Sequence, residues 1–234
     1  MNHLFLKDKI KKRILASHMY RRRIETLTPE ISDNLYRFAF RLAVFTIIYN
    51  IIEGFIAGYF GYHDESMTLF GFGLDSFIEA LSGFGIAHMI LRIRKNPGAS
   101  RTKFESTALR ITGFAFYVLC AGLVLTAIYN FYTGHKPVTT FWGVVISLIS
   151  IVIMLALLYG KVKAGKHLNS AAILADAECT RVCIYMSLVL LAASGIYELT
   201  GIAYIDAIGT LGLAYFSFRE GRECFETSEP GQNS

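Results

Sequence analysis

Charge is what this sequence has least of. Across 234 residues, Asp, Glu, Lys and Arg make up 18%, while hydrophobic residues make up 53% and mean hydropathy is +0.44. A soluble chain carries about 25% charge, so there is too little polar surface here to cover a soluble core of this size. A disordered chain is excluded as well, because ample apolar surface is available to bury. Four cysteines in a chain of this length do not make a disulfide framework of the small secreted kind. Met1 to Arg13 alternates Lys and Arg with apolar residues and holds no uninterrupted apolar run, so no signal peptide is expected. What remains is an all-α integral membrane protein.

A span needs about 20 mostly apolar residues, and six stretches qualify: Phe38 to Phe60, Met67 to Leu91, Ala108 to Tyr132, Thr139 to Tyr159, Ala171 to Leu199 and Ala203 to Phe218. The last is the shortest. Orientation follows from where Lys and Arg fall in the short loops. Basic residues crowd the segment before the first span (Lys7 to Arg13, Arg21 to Arg23, Arg37) and the loop after the second (Arg92, Arg94, Lys95, Arg101, Lys103). They also follow the fourth span (Lys161, Lys163, Lys166) and the sixth (Arg219, Arg222). The alternate loops hold only Lys136. Six transmembrane helices with both N and C termini cytoplasmic are therefore expected. The chain divides into a basic cytoplasmic arm at 1–37, a six-helix transmembrane domain at 38–220 and a short polar tail at 221–234. The arm reads either as a plain positive-inside anchor or as an amphipathic helix on the anionic leaflet.

An ionisable residue inside a span is costly unless paired, metal-bound or watered, and so marks a functional hypothesis. Asp75 and Glu79 in the second span are four residues apart, which puts them on one helix face with Cβ atoms about 5–6 Å apart. Two bare carboxylates that close repel each other in lipid, and a bound cation or a shared proton removes the conflict. In the fifth span Cys179 and Cys183 repeat the same spacing. Each pair offers half of a four-coordinate shell, and thiolate with carboxylate suits a tetrahedral divalent ion, Zn²⁺ first. Taken alone, the cysteines read rather as ordinary buried residues of an apolar helix. Glu53 reads as a proton site or a packing contact. Asp176, Glu178 and Arg181 read as an entry site or, better, as a structural pair in which Arg181 neutralises a carboxylate. His63, Asp64 and Glu65 read as a solvated loop, with a weak exit site as the alternative. Cys120 and Cys224 have no partner nearby in sequence and receive no role.

With these residues in view, the chain resembles the cation diffusion facilitators, a family of zinc and divalent-metal transporters, from about Arg41 to Glu223. Glu53 with Gly54 and Gly58 matches the end of that family's first helix, and Ser66 precedes Asp75 by the expected nine positions. The family's fifth-helix pattern, Ser-x-x-x-x-Ala-Asp-x-x-His-x-x-x-Asp, aligns with Ser170, Ala175 and Asp176, which places Cys179 and Cys183 on its two ligand positions. Asp206-Ala207 matches the opening of the sixth helix. The resemblance implies a metal site of Asp75, Glu79, Cys179 and Cys183. Two cysteines in place of His and Asp make that site softer than usual.

The resemblance further implies a secondary transporter, not an enzyme, that exports a divalent transition metal from the cytoplasm by proton exchange. Zn²⁺ is the expected transported substrate, with Cd²⁺ or another soft metal as alternatives, and no organic cofactor is expected. The competing reading is a metal sensor or scaffold of the same fold that binds metal without moving it. The expected partners are the lipid bilayer, metal ions and protons, with no nucleic acid, and the expected location is the cell's inner or plasma membrane. The family's cytoplasmic C-terminal domain does not fit in a tail of this length, so a homodimer is expected to form, if at all, through the membrane helices.

Overall fold

The computed structural model describes residues 29–95, 103–134, 136–202 and 204–228. The described residues form six helices: α1 (Pro29–His63), α2 (Met67–Lys95), α3 (Lys103–Thr133), α4 (Phe141–Leu168), α5 (Ala171–Thr200) and α6 (Tyr204–Ser228). Five of them, α1 to α5, carry a stretch long and apolar enough to cross a membrane. The sixth falls short because its second half carries Arg219, Glu220, Arg222, Glu223 and Glu226. Hydropathy marks only the part of a helix that meets lipid. Accordingly α1 begins at Pro29 rather than Phe38, α2 runs on to Lys95 and α4 to Leu168. Residues 1–28 of the expected arm and 229–234 of the expected tail lie outside the described residues.

The extended ends are held by charge. Asp33 on α1 accepts hydrogen bonds from Arg94 of α2 and, one turn along its own helix, from Arg37. Turns between helices follow from local chemistry. Asn169 ends α4 in the left-handed region at φ 47°, and the Ser170 hydroxyl then accepts from the Ile173 amide at the start of α5. Gly201, at φ 64°, closes α5. The first turn of α2 is capped from across the bundle. Asp206 of α6 accepts from the Ser66 hydroxyl (2.9 Å) and from the amides of Met67 (3.0 Å) and Thr68 (3.3 Å). A buried carboxylate therefore satisfies amides that α2 cannot pair within itself.

Packing pairs α1 with α2, α3 with α6 and α4 with α5, while α2 also touches α3, α5 and α6. Large apolar residues such as Phe45, Ile52, Phe55, Phe114, Leu125 and Val152 point outward, and Asn50, Glu53, Asp75, Ser147, Asp176 and Ser187 point inward. This is the reverse of a soluble protein and suits a lipid surround, where backbone and polar side chains find their partners inside the bundle.

Helices can approach closely here because the contact residues are small. A Cβ on Gly73 would stand 2.6 Å from the Gly58 amide nitrogen, so α1 and α2 meet backbone to backbone. Gly73→Ala is expected to lower stability by about 1–3 kcal/mol by forcing that contact apart. Gly58→Ala, whose Cβ meets nothing within 4 Å, is expected to be nearly neutral. Thermal unfolding of the two purified variants makes the comparison.

Candidate metal centre

α2 and α5 bring the acid and thiol pairs to one interior region. The Cys183 thiol donates to a carboxylate oxygen of Glu79 and also lies 3.3 Å from the Cys179 carbonyl. The other Glu79 oxygen accepts from the Asn50 amide of α1 at 3.3 Å. A cavity of about 30 Å³ opens beside them, with room for roughly two water-sized bodies, and its wall includes Glu79, Cys179 and Cys183. Asp75 is the expected ligand that does not line it. It sits one turn away on α2, 2% exposed, and its Oδ1 has no hydrogen-bond partner. Among the described residues no three His, Cys, Asp or Glu side chains are grouped as a ready metal-binding set. The structure thus joins Glu79 to Cys183, puts Cys179 on the same cavity and leaves Asp75 buried nearby.

The secondary candidates resolve into distinct local roles. Both oxygens of Glu53 are engaged, one by the Tyr49 hydroxyl (2.7 Å) and one by the Ser76 hydroxyl (3.1 Å), which ties α1 to α2. Arg181 pairs with Glu178 on the exposed face of α5, as expected of a structural pair. Asp176 has a different partner: the Lys161 ammonium, at 2.9 Å, which also donates to the Thr180 hydroxyl at 2.9 Å. The assignment of Lys161 to a basic loop is therefore corrected. It lies within α4, is 1% exposed and faces the cavity. The expectation of a solvated His63-Asp64-Glu65 loop holds for His63 and Glu65, which are exposed, and is corrected at Asp64. Asp64 is buried, its backbone carbonyl accepting from the Val138 amide and one carboxylate oxygen close to the His63 ring.

Sequence reasoning missed two further cavity residues, Glu220 and Cys224 of α6. The signal was present, since they repeat the four-residue spacing of the other two pairs. It was hidden because they sit in a charged stretch that reads as solvated.

A search of curated proteins finds no match to the chain. The family model for the cation efflux transmembrane domain matches residues 41–228, which takes in α2 to α6, most of α1 and every residue of the candidate site. With that match over most of its length, apolar side chains facing outward and five helices long and apolar enough to cross a membrane among the described residues, the chain is a multi-pass integral membrane protein that belongs to the cation efflux family.

Proposed function

We propose that this protein exports a divalent transition metal, Zn²⁺ above others, from the cytoplasm in exchange for protons, using Asp75, Glu79, Cys179 and Cys183 as ligands. The observation that carries the reading is the Cys183–Glu79 hydrogen bond across α2 and α5 at the wall of a cavity between the helices. A thiol that donates to a carboxylate is the proton-loaded form of a metal site. Metal binds to the deprotonated atoms, so an arriving ion displaces the proton that bond carries, and a returning proton displaces the ion. Rocking of α2 and α5 relative to their neighbours would then expose one cavity alternately to the two sides. Thiolate favours soft and borderline ions, so Zn²⁺ and Cd²⁺ are accepted over Mn²⁺ and Mg²⁺. The end of the bundle that carries Arg92, Arg94 and Lys95 is the cytoplasmic one.

The test is flux in sealed vesicles holding the purified protein with its basic end outward. An acidic lumen is expected to drive Zn²⁺ inward while the lumen turns alkaline, and lowering the external pH should weaken uptake as protons compete for the ligands. Metal binding without flux would overturn the transport reading in favour of a sensor or scaffold.

A further inference from the structure

Three acid or thiol pairs at four-residue spacing lie in the bundle interior, every member but Asp75 lining the cavity, and the metal site proposed above uses only two of the pairs. The third, Glu220 and Cys224, lies on α6, with Glu220 4% and Cys224 6% exposed. The other acids of this stretch are paired along the helix surface, Glu223 with Arg219 and Glu226 with Arg222. Glu220 instead turns inward to the cavity, and its Oε1 has no hydrogen-bond partner. Cys224 is a free thiol on the same wall.

The levels of these residues show how they relate to the first site. α5 and α6 are antiparallel neighbours joined by a short turn after Thr200. At about 1.5 Å per residue, Cys179 and Cys224 both lie roughly 30 Å from that turn, and Cys183 and Glu220 both lie roughly 25 Å from it. Cys179 therefore stands level with Cys224, one turn nearer the basic end than the Glu79–Cys183 pair. An unpaired buried carboxylate beside two thiols in a low-dielectric interior is a costly arrangement that a cation relieves.

We propose that Glu220, Cys224 and Cys179 form a second metal site, at the basic end of the cavity, that takes a thiophilic divalent ion such as Zn²⁺ or Cd²⁺ and passes it to Glu79 and Cys183 by way of the shared Cys179. The passing-on rests on the transport reading; the binding does not. The described residues hold no preassembled group of three ligands, so the ion draws these side chains together by rotation within the cavity.

Cadmium titration of the full chain in detergent, followed by equilibrium dialysis and the ultraviolet thiolate-to-cadmium band, tests the site. Two ions per chain are expected. Cys224→Ser should lose one of them with part of the band, and the near-isosteric Glu220→Gln should weaken that same ion on the order of tenfold or more. Asp75→Ala/Glu79→Ala should lose the other ion and keep the Cys224-dependent one. Cd²⁺ should also slow maleimide labelling of Cys224 in that double variant. Unchanged stoichiometry and band in Cys224→Ser, or labelling of Cys224 indifferent to Cd²⁺, would overturn the second site. Retention of both ions by Asp75→Ala/Glu79→Ala would instead count against the transport site and leave the second one standing.

Discussion

Glu79→Ala is expected to abolish metal flux while the protein still folds and inserts. Glu79 is the residue on which the two halves of the site meet: one oxygen accepts from Cys183 of α5 and the other from Asn50 of α1. On the proposed reading its loss removes a ligand, and it also removes the hydrogen bond that links α2 to the thiol-bearing helix. Removing an outer partner of a metal site already costs about 10–100-fold, so loss of a direct ligand should exceed about 100-fold in flux. Glu79→Gln separates the two contributions, because the amide keeps the volume and much of the hydrogen bonding but not the charge. It should be well folded and equally inactive. Asp75→Ala should behave the same way, although Asp75 does not line the cavity. Its buried, unpartnered oxygen one turn from Glu79 is available to an ion that draws α2 round by a small rotation. Near-normal flux in any of these variants would remove that residue from the site.

The helices were legible in the sequence because lipid demands long apolar runs and backbone self-sufficiency. Their ends were not, since beyond the bilayer a helix continues on ion pairs such as Asp33–Arg94 that hydropathy does not register. The site shows the same division. Asp75–Glu79 and Cys179–Cys183 stand out as polar pairs within apolar runs. Glu220–Cys224 has identical spacing but lies among Arg219, Arg222 and Glu223, where an acid ordinarily faces water. Asp206 matched a family position without a reason attached, and the reason is tertiary: it caps the first turn of α2 from α6. That contact joins residues about 140 positions apart, a separation no periodicity reports.

Lys161 is the residue whose role the sequence concealed most, and it carries the largest expected effect on stability. It lies in a run with Lys163 and Lys166 that looks like a loop anchor, yet its ammonium is enclosed between Asp176 and Thr180. Lys161→Met keeps an unbranched apolar stem of similar length and removes only the charged, donating head. Asp176, 5% exposed, is then a buried carboxylate without its countercharge, and breaking a buried pair in this one-sided way costs about 3–5 kcal/mol. Lys161→Met/Asp176→Leu removes both charges, and replacement of a whole buried pair by apolar residues is often neutral, so the double variant should recover most of the loss. Denaturation of the two purified variants in detergent reads the difference directly. Because the pair borders the cavity, the single variant also leaves a bare carboxylate facing it. Zn²⁺ should therefore stabilise Lys161→Met more than the parent, and the double variant should lack that gain. Equal destabilisation in single and double variants would show that the Lys161 stem, rather than its charge, holds α4 against α5.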